Sequence, residues 1–306
     1  PVTQRITPPQ RPKSASRSRF TQPLREEFSI MRFTTRNARL AGAAVVTVLA
    51  LGLTACSSSD DTADTDSGTL GTINVGALAT PAGDILNFVS ENLAEDAGLT
   101  IEYTEFTDYN TPNVALTDGS IDANLFQNST FLETYNEQAG GSLVSVGEVY
   151  LPTAAFYSDK VSSLDELKDG AEIAIPNDPT NEGRALKILA AEGLIEITEN
   201  PTTLNDITAN PNDYEFTEIE NATLAQALPD VDAAFVTITF ALPAGLAADD
   251  AILIENADSP YSNVLATSEE LEDDPRIAKL YELLLDPATQ DYMNETWGGL
   301  VVPLAG

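Results

Sequence analysis

The chain of 306 residues contains no histidine. That removes the general base of Ser-His-Asp and Cys-His catalysis and the commonest nitrogen ligand of zinc. Cysteine occurs once, at Cys56, so no intrachain disulfide can form. Positive charge is scarce: 15 Lys and Arg stand against 48 Asp and Glu, for a formal net charge of −33. Nine of those bases precede Cys56, with Glu26 and Glu27 as the only acids there. After Cys56 the bases are Lys160, Lys168, Arg184, Lys187, Arg276 and Lys279, against 46 acids, a formal charge of −40. Such a body repels polyphosphate, so nucleic acid is not an expected partner. Carboxylate catalysis stays chemically open. No pair of acids stands out by spacing, however, and no metal constellation is visible, so a catalytic role, a metal and a cofactor are not expected.

The N-terminal region divides by composition. Residues 1–30 are polar, rich in Pro, Arg and Ser, and without period. They are expected to be disordered or to precede the true start at Met31, with a genuine basic tail as the alternative. Arg32, Arg36 and Arg39 then form a basic segment ahead of an uncharged apolar run from Leu40 to Leu53. Fourteen residues are too few to span a bilayer comfortably and suit the core of a signal peptide. The run ends in Leu53-Thr54-Ala55-Cys56, which resembles the lipobox of bacterial lipoproteins. Residues 31–55 are therefore expected to be a lipoprotein signal peptide, with Cys56 carrying acyl chains such as palmitate. Two or more chains give stable anchoring. Residues 56–70 read as a flexible acidic tether.

Beyond the tether, strand and helix patterns alternate, which predicts an α/β fold with largely parallel sheets. Ile73–Leu78 reads as a strand. Thr80-Pro81 opens a helix with an apolar face of Ile85, Leu86, Val89 and Leu93, closed by Gly98. Thr100–Phe106 and Ile121–Phe126 read as strands. A second series runs from Ala171–Ile175 through a helix over 182–192 to a buried strand over 231–238. Gly119-Ser-Ile-Asp-Ala-Asn-Leu-Phe126 is similar to Pro229-Asp-Val-Asp-Ala-Ala-Phe-Val236. Two like strand starts so far apart fit two similar lobes.

In open α/β sheets, ligands collect at the carboxyl ends of strands and the N-termini of helices. Arg184 is the most informative residue near such an end. In the first turn of the predicted helix the macrodipole disfavours a cation, which is explained if Arg184 clamps an anion together with free N–H groups. The alternative is an ion pair with one of the many acids. Tyr109, Phe126 and Phe131 follow strand ends and form a candidate apolar wall. Asp108, Asp178 and Glu182 read as surface or capping carboxylates.

The body resembles the NlpA lipoprotein family from about Ile73 to Pro303. The resemblance is carried by Phe106-Thr-Asp-Tyr109, Ile121-Asp-Ala-Asn-Leu-Phe-Gln127, Ser163-Leu-Asp-Glu-Leu167, Ala174-Ile-Pro-Asn-Asp-Pro-Thr-Asn-Glu-Gly-Arg-Ala-Leu186, Val231-Asp-Ala-Ala234, Asp258-Ser-Pro-Tyr-Ser-Asn-Val264 and Asp273-Asp-Pro275. It implies a two-lobed periplasmic-binding-protein fold of type II. The lobes would comprise residues 71–152 plus 243–306 and residues 153–242, with hinge crossovers near Tyr150–Phe156 and Phe240–Gly245. It further implies a monomeric, lipid-anchored binding protein on the extracytoplasmic face of the cell membrane. Such a protein hands a small amino acid, methionine by default, to the permease and ATPase subunits of an ABC importer. Another small amino acid, a short methionine-containing peptide, or a surface lipoprotein without transport role are the alternatives. Arg184 would grip the ligand carboxylate with support from Asn181, while Tyr109, Phe126 and Phe131 enclose its side chain. The chain departs from the family pattern in three places. Asn128 stands where the family usually has His, and Phe131 where it usually has Tyr. Thr237-Ile238-Thr239-Phe240 replaces a usual Asn-Gly-Asn-Tyr. Thr237 and Thr239 can accept hydrogen bonds but lack an amide donor, so recognition of the ammonium and side chain is expected to be altered.

Overall fold

The computed structural model describes residues 68–256 and 258–304. The expected signal peptide, the expected lipidation site at Cys56 and most of the expected tether lie outside the described residues. The chain enters through β1 (Gly71–Leu78), α1 (Asp84–Val89), β2 (Leu99–Phe106), α2 (Pro112–Thr117), β3 (Ala123–Asn128), α3 (Ser129–Ala139) and β4 (Leu143–Pro152). It continues through β5 (Ala154–Tyr157), β6 (Glu172–Pro176), α4 (Pro179–Ala191), β7 (Glu196–Ile197), β8 (Ile207–Ala209), β9 (Glu215–Ile219), α5 (Leu224–Ala227), β10 (Ala233–Thr237), α6 (Ile238–Ala241) and β11 (Ala251–Ile254). It closes with β12 (Asn263–Ser268), α7 (Pro275–Leu284), α8 (Pro287–Trp297) and β13 (Val301–Pro303).

Two sheets organise these elements into two lobes. The larger runs β13-β4-β12-β3-β1-β2, the second β11-β5-β10-β6-β9, and β7 and β8 form a separate ribbon. β1 lies parallel to both β2 and β3, and β6 lies parallel to both β10 and β9. Central strands covered on both faces need apolar residues on both: Ile73, Val75 and Ala77 on one face of β1 and Leu78 on the other are buried, as are Ile173, Ala174 and Ile175 along β6.

The similar strand starts have the same hydrogen bonds. The Asp122 carboxylate accepts from Asn74 N at 2.8 Å while Asp122 N donates to Asn74 O at 2.8 Å. The Asp232 carboxylate accepts from Glu172 N at 2.9 Å while Asp232 N donates to Glu172 O at 2.8 Å. Each Asp thereby clips the start of its strand to the backbone of the parallel neighbour. Because Ile121 and Asp122 serve this clip, β3 begins at Ala123, two residues later than the pattern predicts.

The chain passes between the sheets twice. Thr153 alone separates β4 in the larger sheet from β5 in the second, within the span expected for the first crossover. The other passage is not at Phe240–Gly245. There the chain forms the end of α6 and a turn in which Gly245 N donates to Leu242 O at 3.0 Å. It then adds β11 antiparallel to β5, still in the second sheet. The return to the larger sheet runs through residues 255–262, between β11 and β12. β11 thus falls outside the sheet that the expected partition gave to residues 243–306, because β5 offers it a free edge.

Candidate functional site

The site is built where α4 meets both crossovers. Asp178 caps α4, its carboxylate accepting from Asn181 N at 2.9 Å, and Pro179 occupies the first turn, where no N–H is needed. The helix therefore starts three residues before the predicted Glu182. Arg184 consequently lies in the second turn rather than the first, and the macrodipole argument loses its force there. What balances its charge is Glu255. Arg184 Nε donates to Glu255 Oε1 at 2.8 Å, and Nη2 donates to Glu255 Oε2. Nη2 also donates to Pro152 O at 2.8 Å. Both side chains are buried, with Arg184 only 2% exposed. Of the two sequence-based alternatives, the ion pair is therefore formed, and it is buried rather than superficial. The two alternatives are compatible, since the same guanidinium also lines the cavity between the lobes.

The opposite wall of that cavity is aromatic. Tyr109, Phe126 and Phe131 pack with ring centroids 5.8–6.0 Å apart. Phe240 of α6 joins from the other lobe, 5.0 Å from Tyr109. These spacings suit tilted and edge-on aromatic contacts. Burial pushes the Tyr109 phenol above its ordinary pKa, opposed by hydrogen bonding with Thr237 and Thr239 and by the Arg184 charge. The Tyr109 hydroxyl lies 3.0 Å from Thr237 Oγ1, so the two lobes touch directly.

Polar groups complete the lining. Asn128 both lines the cavity and caps α3, its Oδ1 accepting from Phe131 N at 2.9 Å. Asn181 approaches from α4, its Nδ2 held by the Asp178 carboxylate. Of the sequence-predicted residues, Arg184, Asn181, Tyr109, Phe126, Asn128, Phe131 and Thr237 converge on this one cavity. Thr239 does not line it; it is buried in α6 beside the Tyr109 hydroxyl. Gln127, Pro152 and Asn263 also line the cavity and are not among the site residues expected from the sequence. Gln127 is fixed by a buried amide network, accepting from Asn113 Nδ2 at 2.7 Å and donating to Asn124 Oδ1 at 3.0 Å. Asn263 pairs with Asn128 and Tyr150 across β12. A single Asn leading the buried run Asn263–Ala266 was the available signal.

The cavity is tight. The space open to a water-sized sphere is about 20 Å³, room for about one water. A larger hollow of about 520 Å³ lies along the other flank of α4, beside Lys187, Leu253, Asp258 and Tyr261. It is open to solvent and lacks the aromatic cage. The cavity between the lobes has instead the mixture of apolar wall and converging polar groups that marks ligand sites. None of the three carboxylates noted in the sequence lines it, though Asp178 lies directly behind Asn181. Asp108 accepts from Asn110 N and Thr111 N within its own loop. Asp178 caps α4, and Glu182 is buried beside Glu218.

Two α/β lobes, two crossovers and a guanidinium-and-aromatic cavity between them define a substrate-binding protein. The chain belongs to the NlpA lipoprotein family, whose model matches residues 73–305. It is 37% identical over 234 residues to the D-methionine-binding lipoprotein MetQ of Salmonella typhi, covering 74% of this chain and 86% of that one. Its structure is similar to a periplasmic substrate-binding protein of an ABC transporter from Coxiella burnetii, with a TM-score of 0.73 and 38% identity over 76% of this chain and all of the other. It is equally similar to a nutrient-binding protein from Burkholderia cenocepacia bound to methionine. That TM-score is also 0.73, with 36% identity over 76% of this chain and 99% of that one.

Proposed function

We propose that this protein captures methionine between its lobes and presents it to the permease and ATPase subunits of an ABC importer. It would do so as a monomer held to the extracytoplasmic face of the cell membrane by acyl chains on Cys56. The observation that carries the reading is the convergence of Arg184, Asn181, Asn128 and the Tyr109-Phe126-Phe131 cage on one interlobe cavity. In this reading the free edge of the guanidinium takes the ligand carboxylate, Asn181 and Asn128 supply polar contacts, and the aromatic rings enclose the thioether. Sulfur-to-ring contacts favour such a guest. Thr237 and Thr239 act through the Tyr109 hydroxyl. The lobes comprise residues 71–152 with 263–306 and residues 153–254. The space of about 20 Å³ cannot hold an amino acid, so capture requires the lobes to part about the crossovers at Thr153 and 255–262 and to close again. No catalytic step is assigned to the site.

Mass spectrometry of small molecules released from the natively purified protein tests this reading. Methionine in near-stoichiometric amount supports it. Another small amino acid or a short peptide would keep the site and change the guest. No bound guest, with no uptake of any amino acid after refolding, would favour a surface lipoprotein without a transport role.

A further inference from the structure

Every group lining the interlobe cavity other than Arg184 is uncharged: aromatic rings, amides, a hydroxyl and a proline. The charge that a guest meets is therefore decided by the carboxylates behind the lining: Asp178, which holds Asn181 Nδ2 and whose charge reaches Tyr109, and the partner of Arg184. That partner is Glu255, the first residue of the second crossover. It is 8% exposed and does not itself line the cavity. Four donors converge on its carboxylate. Arg184 Nε and Nη2 take one edge of the guanidinium, Ser259 Oγ donates at 2.7 Å, and Ala154 N donates at 3.2 Å. Glu255 N also donates to Ala154 O at 2.9 Å. The carboxylate is thus locked to the start of β5 and to the second crossover, and Arg184 is locked to it. Among the described residues Nη1 of Arg184 has no hydrogen-bond partner, and Arg184 lines both the interlobe cavity and the open hollow; in the inference that follows, Nη1 is the end that meets the guest.

We infer that Glu255 neutralises Arg184 at the cavity wall, so that the site selects a zwitterion over a simple carboxylate anion. This rests on the amino-acid-binding reading above. A lone guanidinium in a cavity of low dielectric would attract any carboxylate and repel the ammonium group of an amino acid. With Glu255 bonded to the Nε–Nη2 edge, the positive charge is matched before the guest arrives. The guest's carboxylate gains a directed hydrogen bond to Nη1, and its ammonium faces no unpaired positive charge. Because the pair is tied to Pro152 O and Ala154 N as well as to α4, Arg184 keeps its partner when the lobes part. Glu255 is thus a positioning and specificity-determining residue that does not touch the guest.

The test compares methionine with its des-amino analogue 4-(methylthio)butanoate, which keeps the carboxylate and thioether and carries a net charge of −1. Titration calorimetry on the wild-type protein should show a clear preference for methionine. The isosteric Glu255→Gln removes one negative charge and should narrow that preference at least about tenfold, chiefly by tightening the des-amino acid. A merely structural role for Glu255 would weaken both ligands in parallel and leave their ratio unchanged, which would overturn the inference. Wild-type protein binding the des-amino acid as tightly as methionine would overturn it without recourse to the variant. If wild-type protein binds neither, the functional reading fails separately. Uptake of 4-(methylthio)butanoate by Glu255→Gln would then still support the charge assignment, and its absence would reject it.

Discussion

Tyr109 and Thr237 meet hydroxyl to hydroxyl at 3.0 Å across the interlobe cleft, one on the loop after β2 and the other at the end of β10. The contact is buried and joins the two lobes at the edge of the aromatic cage. Tyr109→Phe leaves the Thr237 hydroxyl without its buried partner, at about 1–3 kcal/mol, whereas Thr237→Val leaves the Tyr109 hydroxyl its contact with Thr239. Tyr109→Phe and Thr237→Val should therefore show a coupling of about 1 kcal/mol in a double-mutant cycle of urea unfolding. Full additivity would mean that the lobes do not rest on this contact in solution.

The Arg184–Glu255 pair predicts a different pattern. Replacing Arg184 by Met strands a buried carboxylate and should cost about 3–5 kcal/mol in unfolding free energy. Adding Glu255→Leu removes the stranded charge and should recover most of that loss. A single Arg184→Met variant as stable as wild type would mean that the pair is not formed.

Glu182 is buried in α4, and its pKa is raised to about 7, first by desolvation and then by the negative charge of Glu218. Its folded-state pKa lies above the ordinary value of 4.5, so the protonated form belongs preferentially to the folded state. Below about pH 4.5 the group is protonated in both states and costs nothing. As pH rises toward and through about 7, the unfolded chain gives up the proton more readily, and stability is lost. Glu182→Gln should thus gain on the order of 1–3 kcal/mol at pH 8 and nothing at pH 4. Equal gains at both values would disprove the shift.

Gly183 sits inside α4, where alanine is intrinsically the better helix former. A Cβ at this position would meet the carbonyl oxygen of Pro201. Gly183→Ala should therefore destabilise by about 1–3 kcal/mol, the usual cost of overpacking. Thermal unfolding that shows a higher midpoint would mean that the Pro201 loop yields freely.

Several of these features were legible in the sequence because they depend on local pattern. The two strand starts share an apolar-Asp-Ala pattern, and the Asp in each makes the same pair of backbone bonds. The Tyr109-Phe126-Phe131 cage follows from aromatic residues placed after strand ends. The partner of Arg184 was not legible. Glu255 lies 71 positions away in a chain with 48 acids, and nothing local distinguishes it from the rest. The second crossover was misplaced for a related reason. Whether the strand after Gly245 joins one sheet or the other depends on the free edge of β5, a long-range property. The start of α4 lies three residues ahead of the expected 182 because Asp178 caps the helix and Pro179 is its first residue, a cap-and-proline pair that the sequence pattern equally allows in a turn.

The central claim is that the cavity between the lobes holds an amino acid by its carboxylate at Arg184. A calorimetric titration of L-methionine into wild-type and Arg184→Lys protein tests it most directly. Lysine keeps the positive charge but cannot present a planar fork to two carboxylates at once. The account predicts saturable one-to-one binding by the wild type and about a 30-fold or greater loss in the variant. Undiminished affinity in a folded Arg184→Lys protein would contradict it.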